Sequence, residues 1–345
     1  MRMLRIAAIA LAAVIAIAPL PASWIDAWYS RGVYLTLQNA VTPATNLVPI
    51  ALLDATVLVV AIALVTIAWR RVRRIGPAAA ALKTAVTIVT VAACVYLWFA
   101  GMWGLNYRRL PLESRLDFDQ SRITQAAARQ LGERAVDEVN LLRPKRSSIE
   151  LSPRNLEQAF AAAQSALGQR HAVPGIPKRS LLGLYFRRAA IDGMTDPLFL
   201  EIIVNPDLFP FEQPFVVAHE WAHLAGYAHE AEANFMAWLI CMNGDVDAQY
   251  SGWLVAYEHV WHQLPRADRA ALYARLSGGV REDLRAMAAR YATSTPIVRD
   301  AAREVYDSYL RANRVREGIA SYSGIVRLML GTGVAERRMP TPIGR

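Results

Sequence analysis

Two histidines and a glutamate lie within five consecutive residues, in a chain that contains only six histidines. Residues 219–223 are His-Glu-Trp-Ala-His. On a helix, residues four positions apart share a face, so His219 and His223 can direct their imidazole nitrogens at one ion. Glu220 is then placed to act on a water bound to that ion. This spacing predicts activation of water by Zn²⁺, with Glu220 as the general base.

The ligand set needs one more residue, because catalytic zinc takes three protein ligands and keeps a fourth position for water. Three candidates follow within nine residues of His223, namely Glu230, Glu232 and His229. Glu230 begins a predicted helix, and Glu232 lies on another face of that helix. His229 completes the longer pattern HExxHxxGxxH. The residues alone leave these three alternatives open.

The elements that position these side chains are two helices joined by a tight reversal. Apolar residues predict a largely buried helix from Phe215 to about Gly226 and a second helix from Glu230 to Met242. Gly226 supplies the reversal, because glycine adopts the backbone conformations that end helices. A buried glutamate beside two buried histidines is costly without a partner, which favours a metal site.

The rest of residues 106–345 has the composition of a soluble domain, and we expect a mainly helical fold with a small sheet before the HExxH helix. An extended substrate can pair with a strand edge beside the metal, and the strand at 198–204 is either such an edge or a plain core strand. Tyr322, His259 and His262 are weaker candidates for donors to the oxyanion. The predicted elements are a helix over 119–142, a helix capped by Ser152, a loop over 168–179, strands at 182–186 and 198–204, and two or three helices over 265–315.

The first 105 residues predict a membrane anchor. The chain has 345 residues, of which 54% are hydrophobic and 19% charged, with a formal net charge of +9. Three apolar runs predict transmembrane helices at 6–22, 50–69 and 79–101. The basic excess flanks these runs and forms no stripe on the soluble part, so we expect no nucleic-acid partner. Arginines at 70, 71, 73 and 74 should face the cytoplasm, which places residues 106–345 outside it.

Several segments resemble one bacterial membrane family, which is catalogued as a domain of unknown function with a zinc-peptidase motif. They are YSRGVY (29–34), WGLNYRRLPL (103–112), HEWAHLAGYAHEAEANF (219–235) and YDSYLRANRVREGIASYS (306–323). The resemblance implies N-terminal membrane helices followed by an HExxH domain, and it implies no particular substrate.

A shorter resemblance concerns the third ligand. Glu230 is followed by Ala233 and Asn234, which is similar to the gluzincin-like E-x-x-A-[N/D] segment of the CAAX-prenyl-protease and ImmA/IrrE peptidase families. In those families the glutamate binds zinc, and the Asn or Asp supports a ligand histidine. The resemblance implies that Glu230 is the third ligand and that Asn234 supports the site.

The predicted function is that of a zinc-dependent metallopeptidase anchored in the lipid bilayer, which hydrolyses a protein or peptide substrate. In a bacterium it would be a multi-pass protein of the inner (cell) membrane, with a periplasmic or extracellular catalytic domain. The alternative is a non-hydrolytic receptor or assembly factor with a structural or sensing metal. That alternative predicts bound zinc without hydrolysis of any peptide.

Overall fold

The computed structural model describes residues 2–146, 153–315 and 324–343. Helices dominate these residues, and their strands form one small mixed sheet, which confirms the mainly helical fold. The N-terminal part contains α1 (Arg2–Ile17), α2 (Ala22–Trp24), a π-helical stretch (Ile25–Val33), α3 (Tyr34–Asn46), α4 (Leu52–Ile75) and α5 (Pro77–Met102). The later helices are α6 (Gln125–Leu142), α7 (Pro153–Ala166), α8 (Gly183–Ala189), α9 (Gln213–Leu224), α10 (Glu230–Met242), α11 (Val246–Gln263), α12 (Arg266–Arg275), α13 (Gly278–Ala292), α14 (Pro296–Ala312) and α15 (Gly324–Gly331).

Two helices, α4 and α5, are long and apolar enough to cross a membrane, and they correspond to the spans predicted at 50–69 and 79–101, although α4 begins two residues later, at Leu52. The span predicted at 6–22 is not one straight helix. The helix α1 ends at Ile17, and the chain turns by 106° before the helical segment Ala22–Asn46. Pro19 and Pro21 lie in this turn, and proline cannot donate the backbone hydrogen bonds that continue a helix. Counting the bent pair as one span gives up to three spans.

The start of α4 and the end of α5, which together form the open end of their hairpin, both contact the remainder of the fold. At the start of α4, Asp54 accepts hydrogen bonds from the Ser180 hydroxyl and the Leu181 backbone, each at 2.7 Å. After the end of α5, the Trp103 indole donates to the His223 carbonyl at 3.0 Å. A 24-residue helix is about 36 Å long. The arginines of 70–74 therefore lie at the opposite end of the hairpin from the candidate site.

The sheet has the order β1 (Pro177–Lys178), β3 (Glu201–Val204), β2 (Gly193–Asp196). Strand β1 runs parallel to β3, and β2 pairs with it antiparallel, with Gly193 opposite Val204 and Asp196 opposite Glu201. The central position belongs to β3, whose two neighbours occupy both of its edges. The expectation that strand 198–204 pairs with a substrate is therefore wrong, and the outer edge belongs to β2.

Two strand predictions need correction. Residues 182–186 are not a strand, because they lie largely in α8, where Phe186 and Ala189 turn inward three positions apart. The second strand begins at Glu201 and not at residue 198. Leu200 has a φ of 52°, and the Asp196 carboxylate accepts a hydrogen bond from the Leu198 backbone at 2.9 Å, so these residues form a turn.

The remaining elements follow the predictions closely. The helix expected over 119–142 begins at Gln125, because the Thr124 hydroxyl accepts from the Ala127 backbone and caps it there. The loop expected over 168–179 is present, apart from the two residues of β1. The helices α12, α13 and α14 fill the region predicted at 265–315. Ser152 lies outside the described residues.

The hydrophobic core surrounds α9 and α10, and it also includes part of the N-terminal segment. Ile25, Tyr34 and Leu35 are buried in the same cluster as Trp221 and Trp238. The core is therefore not confined to residues 106–345. The segment between the first two apolar runs contributes to the structure that holds the candidate site.

Candidate metal centre

The HExxH residues lie on α9, and the chain reverses directly after it into α10. Gly226 has a φ of +86°, which side-chain-bearing residues rarely adopt, and its amide donates to the His223 carbonyl at 2.9 Å. A Cβ at this position would also lie 3.2 Å from Asn106 and from Tyr34. The tight reversal predicted at Gly226 is therefore confirmed, and it brings Glu230 to face the histidines.

Three side chains of types that can ligate a metal converge at this reversal. The ligand atoms of His219, His223 and Glu230 all lie within 4.8 Å of one another. The His219 Nε2 atom is 3.2 Å from Glu230 Oε2, and the His223 Nε2 atom is 3.6 Å from Glu230 Oε1. The two imidazole rings meet edge to face, with centroids 4.6 Å apart. Glu230 and His223 are buried, so bulk water competes little for this cluster.

The electrostatics of the cluster separate the two glutamates. Burial raises the pKa of Glu230, but the adjacent His223 and His219 imidazoles outweigh burial and hold that pKa well below its usual value. Burial lowers the pKa of His223, yet the carboxylates of Glu230 and Glu220 bring it to about 9. Burial raises the pKa of Glu220 against the lowering effect of the same imidazoles. The surroundings therefore favour the anionic form of Glu230, whereas they favour the protonated form of Glu220 more than water does.

Glu220 is held beside the cluster by strand β2. The Thr195 hydroxyl donates to Glu220 Oε2 at 2.7 Å and lies 3.0 Å from the Glu220 carbonyl. Gly193 makes room for the carboxylate, because a Cβ there would lie 2.5 Å from Glu220 Oε1. The sequence motif did not identify Thr195 or Gly193, since neither residue type has a fixed spacing to HExxH.

The orientation of His223 is fixed on its other side. Its Nδ1 atom is 2.7 Å from the Tyr227 carbonyl, so the ring donates there and leaves Nε2 for the cluster. The ring of Trp103 packs edge-on at 6.0 Å between centroids. Trp103 directly follows α5, so the imidazole is held by the segment that leaves the membrane hairpin.

A tyrosine from α14 completes the surroundings of Glu230. The Tyr306 hydroxyl donates a short hydrogen bond to Glu230 Oε1. Tyr306 stacks on Tyr309, whose ring also contacts Tyr107 and Phe99. Tyr306 is the first residue of YDSYLRANRVREGIASYS, one of the segments that carry the family resemblance. That resemblance is the one sequence signal that could have identified Tyr306 as part of the site.

A family model described as "Protein of unknown function (DUF3810)" matches residues 29–330. The chain belongs to this family. The matched range includes α4, α5 and every residue of the cluster. No curated protein and no solved structure matches the chain.

In this family member, the other two ligand candidates have different partners. Glu232 accepts a hydrogen bond from the Leu112 backbone at 2.7 Å, and the His229 ring lies 3.2 Å from the Tyr107 carbonyl. Neither belongs to the group that converges with His219 and His223. Asn234 is buried, and within the described residues its Nδ2 atom has no hydrogen-bond partner.

Two of the weaker candidates for oxyanion donors, Tyr322 and His259, differ in whether the structure describes them. Tyr322 lies outside the described residues. His259 lies on α11, where burial, followed by the neighbouring His262 and His219, lowers its pKa to about 4. His259 is therefore a neutral ring at neutral pH, within electrostatic range of His219.

Proposed function

We propose that the protein is a membrane-anchored, zinc-dependent metallopeptidase that cleaves a protein or peptide substrate. The observation that carries this proposal is the convergence of His219, His223 and Glu230 at one point, with the separate Glu220 carboxylate held beside them. Such an arrangement has three ligands and one base, as a catalytic zinc site requires. A purely structural site would need no fourth residue of this kind.

The donor set suits zinc in both chemistry and spacing. Two imidazoles and one carboxylate are common ligands of catalytic zinc. With ligand bonds of about 2.0–2.1 Å and tetrahedral angles, neighbouring ligand atoms lie about 3.3 Å apart. The contacts of 3.2 and 3.6 Å from the two imidazoles to the Glu230 carboxylate are close to this spacing. A bound cation would also neutralise the charge of the buried Glu230 carboxylate, which without a metal is stabilised mainly by protonated histidines.

The chain's own residues supply the remaining chemistry. When bound, zinc would lower the pKa of a water and polarise the scissile carbonyl. Glu220 takes the proton of the attacking water and passes it to the leaving amine. Thr195 orients the Glu220 carboxylate, and the outer edge of β2 offers backbone groups to an extended substrate. Tyr306 and Tyr227 hold Glu230 and His223 in place.

The proposed location is a cell membrane crossed by α4 and α5, with the lipid bilayer as the surrounding partner. Arginines 70, 71, 73 and 74 at the far end of the hairpin favour the cytoplasmic side for that end. The cluster then lies on the other face, which in a bacterium is the periplasm or the cell exterior. Peptide bonds of extracytoplasmic chains are the corresponding substrates.

The test is zinc content followed by hydrolysis, with the full chain in detergent. We expect one zinc per chain in the wild type and in His229→Ala, and loss of zinc in Glu230→Ala. Retention in Glu230→Ala together with loss in His229→Ala would refute the assignment of Glu230. A zinc-loaded wild type that cleaves no member of a peptide library would refute the peptidase and support the non-hydrolytic receptor. Absence of zinc from the folded wild type would refute the metal site itself.

A further inference from the structure

The loop and helix that precede β2 carry a continuous exposed apolar surface. Its residues, here named the 181–185 tip, include Leu181, Leu184 and Tyr185, which are 84%, 57% and 42% exposed, and Leu182, which is 38% exposed. A single exposed leucine is ordinary on a protein surface, but four large apolar side chains within five residues form a patch. This patch lies outside the candidate metal centre and takes no part in the proposed chemistry.

The position of the tip is set by direct contacts with the first turn of α4. The Leu181 backbone donates to the Asp54 carboxylate at 2.7 Å, and the Ser180 hydroxyl donates to the same side chain. On the inner side of the tip, Phe186 packs in one cluster with Ala51 and Leu53. Along the axis of α4, the exposed face of the tip therefore lies at the same height as the start of the apolar part of that helix.

The side chains around the tip fit a boundary between water and lipid. Arg179, Arg187 and Arg188 flank it and are exposed, and Arg187 also pairs with Asp207. On the neighbouring helix α5, Trp98 is 53% exposed and its indole donates to the Leu198 carbonyl at 2.9 Å. Tryptophan and tyrosine prefer the headgroup level, and basic residues there attract anionic lipids.

We propose that the 181–185 tip inserts into the interfacial layer of the outer leaflet and binds an anionic lipid surface. Apolar side chains bounded by arginines suit this layer, because the leucines enter the acyl boundary while the guanidinium groups meet phosphates. The tip thus acts as a second anchor besides the α4–α5 hairpin. Only residues 190–192 separate α8 from β2, so the anchor also fixes the edge strand that holds Glu220. The proposal depends on the membrane placement of the hairpin and not on zinc.

The test uses spin labels on the full chain reconstituted into vesicles of phosphatidylethanolamine and phosphatidylglycerol. Cys94 is exposed and would be replaced by alanine, whereas Cys241 is buried and can remain. Single cysteines replace Leu181 and Leu184 in the tip. The matched control is Leu141→Cys on α6, since Leu141 is 53% exposed and equally apolar. The measurement is relaxation of each label by oxygen, which partitions into lipid, and by a water-soluble nickel chelate.

We expect the ratio of oxygen to nickel accessibility to be several-fold higher at residues 181 and 184 than at residue 141. Replacing phosphatidylglycerol by a zwitterionic lipid should lower that ratio at the tip and leave the control unchanged. Equal ratios at the tip and at residue 141 would show that the tip lies in water and would overturn the proposal. Labels shielded from both relaxants would show that a protein or a second copy covers the tip, which would also overturn it.

Discussion

At the scale of single residues, two buried glutamates that interact with the same imidazoles have pKa values shifted in opposite directions. Glu230 faces both imidazoles directly, so its pKa is held low and it suits a permanent ligand. Glu220 lies to the side, and burial dominates its surroundings and raises its pKa, which suits a group that accepts and returns a proton. The separation of roles follows from the geometry around each carboxylate.

The Glu220→Gln variant tests this division. Glutamine retains the size of the side chain and can still face Thr195, but it cannot accept a proton from water. We expect zinc content to remain at the wild-type value while hydrolysis falls by about 100-fold or more, as removal of a general base does. Metal analysis and peptide turnover on the same preparation provide the measurement. Wild-type turnover in this variant would contradict the proposed mechanism.

Tyr306 acts on the centre through Glu230, because its hydroxyl donates to that carboxylate. Removal of a group that orients a ligand commonly weakens metal affinity by about 10–100-fold. We expect this loss in Tyr306→Phe, measured as the zinc dissociation constant in competition with a chelator. Tyr291→Phe, at an exposed tyrosine on α13, is the matched control and should retain wild-type affinity. Equal affinities in the two variants would show that Tyr306 does not support the ligand.

The sequence could predict the principal residues of the site because HExxH has a fixed helical spacing and Glu230 follows it within one reversal. Residue spacing alone could not choose among Glu230, Glu232 and His229, since that choice depends on how α10 is rotated, and only the resemblance to the E-x-x-A-[N/D] segment favoured Glu230. The structure turns Glu230 toward the histidines, while Glu232 accepts from Leu112. Thr195 and Tyr306 arrive from distant parts of the chain, and single-sequence patterns carry no information about such contacts.

At the scale of elements, strand β2 and helix α9 approach so closely that a side chain at position 193 would have to displace the Glu220 carboxylate. An added Cβ would lie 2.5 Å from Glu220 Oε1 and 3.0 Å from Val216. We expect Gly193→Ala to displace the carboxylate and to reduce hydrolysis by about 100-fold while zinc remains bound. The matched control is Gly183→Ala on α8, where an added Cβ has open space. Wild-type turnover in Gly193→Ala would show that the position of Glu220 is not critical.

The last residue of β2 is a buried aspartate, whose carboxylate should make stability depend on pH. Burial raises the pKa of Asp196 to about 7 against backbone hydrogen bonds that lower it. A raised acid pKa means that the folded state retains a proton that the unfolded state releases. The stabilisation is therefore complete below pH 4 and is lost as the pH rises toward 7, by up to about 4 kcal/mol.

The Asp196→Asn variant measures this effect. Asparagine retains the oxygen that accepts from Leu198 but carries no charge at any pH. We expect the unfolding temperature of the variant to exceed that of the wild type at pH 8, and the difference to vanish near pH 4. Asp300→Asn, at an exposed residue of α14, is the control. A pH-independent difference would show that Asp196 does not titrate in this range.

The helices were predicted better than the strands, because the apolar pattern that indicates a helix extends over more residues. The helices α9 and α10 show sustained apolar runs with a glycine between them, whereas residues 182–186 are a short apolar run that fits either structure. Tertiary contacts decide that case, because Phe186 and Ala189 must both face inward. The apolar hairpin of α4 and α5 was recognisable from the length of its apolar runs alone, but the bend after Ile17 depends on how the next segment packs.

At the scale of the whole molecule, the segment before α4 is part of the structure that supports the candidate metal centre. Tyr34 is fully buried, and its hydroxyl donates to the Leu224 carbonyl at the end of α9 at 2.7 Å. The buried Arg109 guanidinium is 3.4 Å from the Asp26 carboxylate and donates to the Gly226 carbonyl at 2.9 Å. Removing residues 1–105 would therefore open the core and leave a buried cation without its anion.

We expect residues 106–345 alone to lack a cooperative thermal transition and to bind no zinc, in contrast to the full chain in detergent. Circular dichroism and metal analysis provide the measurement. A sharp transition with bound zinc would show that the soluble part folds independently of the N-terminal segment. The full chain lacking only α1 should retain zinc, since the contacts of Tyr34 and Asp26 remain in place.

A single substitution isolates the same coupling without removing any membrane helix. In Tyr34→Phe the Leu224 carbonyl remains buried but loses its donor, which costs about 1–3 kcal/mol. We expect a lower unfolding temperature and weaker zinc binding in Tyr34→Phe, because Leu224 directly follows His223 in α9. Tyr273→Phe, at a partly exposed tyrosine of α12, should change neither quantity. If Tyr34→Phe lowered stability but left zinc affinity unchanged, the N-terminal segment would support the fold without positioning the metal ligands.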